Sequence, residues 1–123
     1  MDKRLAELAI LTVARKWTAQ FEWYAHKKFA IAAGLSESII NSIEQREQPE
    51  FINKDEQAIY NFSMELQKDH IVSDSTFDEA IRHIGRIGVT DLVGLLGYYT
   101  LVSMTLNVYQ IPLPNSEPPP LAP

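Results

Sequence analysis

The sequence predicts an all-α fold, a compact bundle of about six helices joined by short connections. Two observations carry that expectation, and a third places the boundaries. Apolar residues recur at three- and four-residue spacing through most of the chain, the period of helices that bury one face. No run alternates with a period of two for long enough to make a useful strand. Gly34, Ser36, Pro49 and Asn53 fall between the periodic segments, where caps and turns belong. A chain of 123 residues with 46% hydrophobic content fits one domain, expected over 1–110, with a proline-rich extended tail over 111–123.

From Arg4 to Trp17 the residues Leu5, Leu8, Ala9, Ile10, Leu11, Val13 and Ala14 are apolar almost all round, so this helix should be buried on most sides. Glu7 lies inside that run and needs a partner, because an isolated charge out of water is heavily penalised. Arg4 or Lys3 is available locally. The other candidate is His26, reached if the chain turns back near Thr18 and Ala19.

A second helix is expected from about Gln20 to Ala33, closed by Gly34 in a left-handed conformation. Trp23, Tyr24 and Phe29 supply most of its apolar area, for the core or an interface. Glu22 and His26 are one turn apart on one face, their Cβ atoms roughly 5–6 Å apart. That face continues through Phe29, Ala30 and Ala33, so the pair should look into packed protein or a pocket. A carboxylate so placed can hold and polarise an imidazole. The same spacing more often marks a plain structural contact, and the two readings stand side by side at this point.

Ser36 caps a short third helix carrying Ile39, Ile40 and Ile43, and Gln45 to Phe51 is a polar loop marked by Pro49. Asn53-Lys54-Asp55-Glu56 resembles a capping box. The helix behind it should turn Ala58, Ile59, Phe62 and Leu66 inward and Lys54, Gln57, Asn61, Glu65 and Lys68 outward. His70, at its end, suits the helix C-terminal dipole and is assigned no chemistry. A fifth helix starts at Asp74 or Ser75 and ends at Gly85 or Gly88, with Phe77, Ala80, Ile81 and Ile84 inward. Asp78 with Arg82 and Glu79 with His83 are acid-first pairs at four-residue spacing. Arg82, His83 and Arg86 are the basic groups that remain to meet an anionic substrate.

Thr90 to Gln110 is the longest apolar stretch and has the length of a marginal membrane span. Gly94, Gly97, Tyr98, Tyr99 and several hydroxyl and amide residues interrupt it, and no basic flank marks a cytoplasmic side. A central buried helix is expected there, with no membrane association, and the glycines would admit a second helix closely. Six of the seven prolines lie in the tail, which cannot continue a helix and is expected to lie over a neighbouring subunit.

Composition narrows the function classes. With 16 acidic and 11 basic residues the net charge is −5, and no stripe of Lys and Arg suggests nucleic acid. The absence of cysteine excludes a disulfide framework, a thiolate metal site and a thiol nucleophile, and suits a reducing compartment. Asp2-Lys3-Arg4 passes directly into a helix rather than a signal-peptide apolar region, so a cytoplasmic location is expected.

Glu7, Ala19, Glu22 and His26, followed by Ala32-Ala33-Gly34-Leu35-Ser36, resemble the signature region of the carboxymuconolactone decarboxylase and alkylhydroperoxidase D superfamily. Redox members of that family carry Cys at the two positions occupied here by Ala19 and Glu22, so the outer Glu and His match and the thiols do not. Val72-Ser73-Asp74, Gly97-Tyr98-Tyr99 and Asn107 leading into Ile111-Pro112-Leu113-Pro114 agree with the branch that carries a Glu-Trp-x-x-His version. The resemblance runs from about Leu5 to the tail. It implies the superfamily's helical fold and a homo-oligomer, a dimer, trimer or hexamer with active sites near subunit contacts. The chain begins where family members usually carry a further helical segment.

On activity, the resemblance implies a cofactor-free acid–base enzyme of the decarboxylase type, acting without metal on a small carboxylated lactone or oxo acid. Decarboxylation leaves an enolate-like carbanion that must receive a proton. In that reading His26 is the proton donor, Glu22 orients and charges it, and Glu7 is a proton relay or second partner. Thiol peroxidase chemistry, the other activity of the family, starts from a thiolate and has no starting group here. The alternative is a binding or non-catalytic member that keeps the fold.

Overall fold

The computed structural model describes residues 1–123. Five helices follow in order: α1 (Lys3–Lys16), α2 (Gln20–Ala32), α3 (Glu37–Glu44), α4 (Lys54–Asp69) and α5 (Asp74–Val108), with a 3₁₀ turn at Pro114–Ser116 and no strand. The hub is α1, which packs against all four other helices. Its apolar residues explain why. Leu8, Ala9, Leu11, Val13 and Ala14 are wholly buried, and Leu5 and Ile10 nearly so.

The turn that folds α2 back on α1 is closed by Thr18, at φ 46°. Thr18 and Ala19 donate their N–H groups to the carbonyls of Arg15 and Ala14, at 3.1 and 2.9 Å. This is a Schellman closure made by a residue other than glycine. A β-branched residue is strained in that conformation, so tertiary contacts must hold it there. Gly34, at φ 96°, closes α2 in the same way as expected, with Leu35 N–H on the Ala30 carbonyl at 3.0 Å. Ser36 caps α3 by accepting from the Ser38 N–H at 3.1 Å.

Three expectations from the sequence are corrected. The two last helices are one element, α5, broken at Gly85, whose φ of 71° and ψ of 177° are not helical; about six helices therefore become five. The Thr90–Gln110 stretch is not the central buried helix. Val89, Leu92, Leu96 and Ser103 face inward, while Tyr98 is 59% and Leu101 56% exposed. Asn53 caps α4 without the capping-box bond to backbone; its side-chain amide donates to Glu56 Oε1 at 3.1 Å. Arg4 draws the other oxygen of Glu56 away, at 2.6 Å, while also pairing with Asp55 at 2.8 Å.

The tail folds back onto its own chain. The Gln20 side-chain amide donates to the Leu121 carbonyl and accepts from the Leu121 N–H, each at 2.8 Å. Leu121 is 4% exposed and joins the core cluster. The tail thus staples the α1–α2 turn, the junction that positions Glu22 and His26 against Glu7.

Candidate functional site

Glu7 projects from the middle of α1 and His26 from the second turn of α2. The Thr18 turn brings them together. His26 Nδ1 lies 2.7 Å from Glu7 Oε2, with side-chain exposures of 15% and 16%. Arg4, the local alternative for Glu7, is committed to Asp55 and Glu56. A His with Nδ1 held by a carboxylate is fixed in ring orientation and directs Nε2 outward from that bond. Nε2 has no partner within the chain.

The imidazole is walled by aromatic edges. The Phe29 ring lies 5.3 Å from it on α2 and the Tyr99 ring 5.1 Å from it on α5, both edge-on. Tyr98 in turn packs on Tyr99 at 5.1 Å. Phe29 and Tyr98 are 55% and 59% exposed, so the imidazole lies under a rim of apolar surface. Burial, and then the charge of Glu7, raise the Tyr99 phenol above its ordinary value.

Glu22 has a different environment. It sits in the first turn of α2, where the helix dipole favours a negative group, yet only 2% of it is exposed. The Ser103 hydroxyl on α5 donates to Oε2. Oε1 is buried with no partner, and so is the adjacent Trp23 Nε1. Burial pushes the Glu22 carboxyl up to about 7, with the Ser103 hydrogen bond and the charge of His26 opposing the shift. Desolvation wins because one hydroxyl cannot replace the water that a carboxylate loses.

The structure therefore brings Glu7, Glu22 and His26 into one cluster but reverses the contacts expected of the carboxylates. Glu7 makes the hydrogen bond to the imidazole, and Glu22 reaches His26 only through its field. Tyr99 and Ser103 were missed as members. They are four apart in α5, hence on one face, and polar groups spaced that way inside an apolar run were the available signal.

The basic candidates lie elsewhere. Arg82 pairs with Glu79, not with the expected Asp78, and His83 lies 3.8 Å from Glu79. Neither bonds to the cluster, and Arg86 is exposed. Three cavities of about 460, 370 and 480 Å³ are lined by residues other than Glu7, Glu22 and His26. No group of three or more His, Asp or Glu side chains is arranged to hold a metal ion. Comparison of the chain with protein-family models, with curated proteins and with solved structures finds no match.

Proposed function

We propose that the chain is a carboxymuconolactone decarboxylase-like, cofactor-free acid–base enzyme acting on a small carboxylated lactone or oxo acid. The observation that carries the reading is the cluster itself. One imidazole is held by a carboxylate at 2.7 Å, beside a buried carboxyl that keeps its proton up to about 7. Neighbouring acids whose environments push their proton affinities apart are the arrangement that acid–base sites use.

In the proposed step the bond between the substrate carboxylate and its α-carbon breaks and carbon dioxide leaves. The electron pair passes into the adjacent carbonyl as an enolate. His26 Nε2–H then delivers the proton to carbon, and water returns one to the imidazole. Glu7 is the positioning residue, holding the tautomer and stabilising the imidazolium. Glu22 keeps the neighbourhood from gaining a second negative charge.

The reading includes a homo-oligomer. Phe29, against His26, and Tyr98 and Leu101 on α5 leave apolar side chains exposed, and a Cβ built at Gly94 or Gly97 meets nothing within 4 Å. A second copy laid along α5 would cover that surface and close the cluster from water. A second reading, a binding member without turnover, is favoured by one observation: none of the three cavities described above opens on His26.

The experiment is a screen of carboxylated lactones and oxo acids in deuterated buffer, following carbon-bound deuterium by NMR. His26→Gln is expected to abolish turnover with the fold intact, and Glu7→Gln to lower it and shift its pH profile. Deuteration that persists in His26→Gln removes His26 as proton donor.

A further inference from the structure

The cavity of about 460 Å³ lies between α1, α3 and α4, and four of its ten lining residues are Arg15, Lys16, Arg46 and Lys68. The chain has only 11 Lys and Arg against 16 acidic residues, so this is a concentration of positive charge on an acidic protein. None of the four forms an ion pair; the seven ion pairs of the molecule involve other cations. Lys16 is nine residues from Glu7, about two and a half helical turns, and so projects from the opposite side of α1. The proposal below goes beyond the reading of the His26 cluster and does not rest on it.

The partners these cations have are neutral. Arg15, 6% exposed, donates to the Glu44 carbonyl at 2.8 Å, the Ala122 carbonyl at 2.7 Å and the Thr18 hydroxyl at 3.3 Å. Arg46 donates to the Arg15 carbonyl at 3.4 Å and to the same Thr18 hydroxyl at 3.2 Å. Lys16 donates to the Gln67 carbonyl. Burial first, and then the nearby Arg46, disfavour the charge on Arg15, with Glu44 opposing.

The carbonyl ends of α1, α3 and α4 meet here, and each contributes about half a negative charge. Glu47 at the lining adds one more, while the Glu44 carboxylate is shared with Lys27 at 3.9 Å. Four cations against about two and a half negative charges leave an excess of one to two positive charges. Two helix closures meet at the same place. Thr18 and Arg46 both hold left-handed conformations, at φ 46° and 60°, and they bond to each other. Each closes its helix, α1 and α3, with Arg46 and Glu47 donating to the Ile43 and Ser42 carbonyls at 3.0 and 2.8 Å, so the two helix ends are tied together at this cavity.

We infer that this cavity binds an organic anion, a carboxylate or phosphate head on a compact apolar body. The head meets the guanidinium of Arg46 and the ammonium groups of Lys16 and Lys68, while buried Arg15 supplies field. The body packs on Ile43, Tyr60 and Met64, the apolar part of the lining. The volume is that of a small-molecule pocket, and one or two negative charges match the excess.

The test is calorimetric titration of the wild-type chain with phenyl phosphate, benzoate, inorganic phosphate and uncharged benzyl alcohol, with the Met64 methyl followed by NMR. Saturable one-to-one binding of an aromatic anion is expected, shifting Met64, with benzyl alcohol about tenfold weaker or worse. Phenyl phosphate against benzoate identifies the preferred head group, and inorganic phosphate measures the head alone. Arg46→Gln and the surface variant Lys68→Gln should each weaken binding about tenfold, whereas His26→Gln should leave it intact. Lys68→Gln keeps the test decisive if Arg46→Gln does not fold. The proposal is overturned if no anion saturates, if Lys68→Gln binds as tightly as wild type, or if His26→Gln abolishes the binding.

Discussion

Replacing Glu22 by Gln should make the protein more stable as the pH rises. The carboxyl is raised from an ordinary 4.5 to about 7 by burial, so the folded state holds its proton more tightly than the unfolded chain does. Below pH 4.5 both states are protonated and the shift has no effect. Between 4.5 and 7 the unfolded state ionises while the folded state does not, and stability falls by about 1.4 kcal/mol per pH unit. Above 7 both are ionised, and the accumulated loss levels off at about 3 kcal/mol. Glutamine copies the neutral acid and does not titrate. The advantage of Glu22→Gln should therefore grow from near zero at pH 4.5 to about 3 kcal/mol at pH 8, roughly 10 °C in Tm for a domain of this size. Asp55, lowered first by its hydrogen bond from Arg4, acts with the opposite sign. Its contribution is lost only as pH falls below its ordinary 3.8, outside this window. Urea denaturation of both proteins at half-unit steps from pH 4.5 to 8.5 measures the difference. A constant difference across that range would show that Glu22 titrates as an ordinary carboxylate, and the account of its burial would fail.

Two further outcomes follow from the packing. Leu121→Ala should cost about 2–3 kcal/mol in a denaturant titration, because Leu121 is 4% exposed, while Ile52→Ala, at 96% exposed, should stay within about 0.5 kcal/mol; equal effects would mean that the tail does not staple the α1–α2 turn. The exposed apolar face of α5 should give a light-scattering mass at a multiple of 14.0 kDa, reduced by Leu101→Glu; a monomeric mass at micromolar concentration counts against the oligomer.

Local signals were legible in the sequence, and distant partners were not. The burial of α1 followed from a run apolar all round, and Gly34 and Ser36 marked their caps because glycine and serine have specific backbone and hydrogen-bonding roles. Thr18 carries no such signal. It holds a glycine-like conformation through Arg15 and Arg46, and Arg46 lies 28 residues away in sequence. The α5 stretch misled for a related reason: hydrophobic content says that a helix avoids water, not which neighbour covers it. Gly85 was legible as the place where the helical path breaks, and the structure shows a kink there, at φ 71° and ψ 177°.

The exchange of places between the carboxylates comes from the same source. Spacing of four residues puts Glu22 beside His26 on α2, but the buried Ser103, 81 residues away, takes one of its oxygens, and Glu7 fills the vacant side of the imidazole. The consequence bears directly on the proposed chemistry. Glu22 adds its charge to a cluster that already holds the Glu7 carboxyl against His26. With Glu22 protonated, an anionic substrate meets one negative charge fewer than with Glu22 ionised, in a poorly screened environment. Capture of a carboxylated substrate should accordingly weaken as pH rises through about 7. The decline should appear in kcat/KM and be smaller in Glu22→Gln, whatever rate that variant retains, because the substitution removes the part owed to the Glu22 carboxylate and leaves the part owed to the proton donor. An identical decline in the variant would place the responsible group elsewhere and leave Glu22 a buried structural acid.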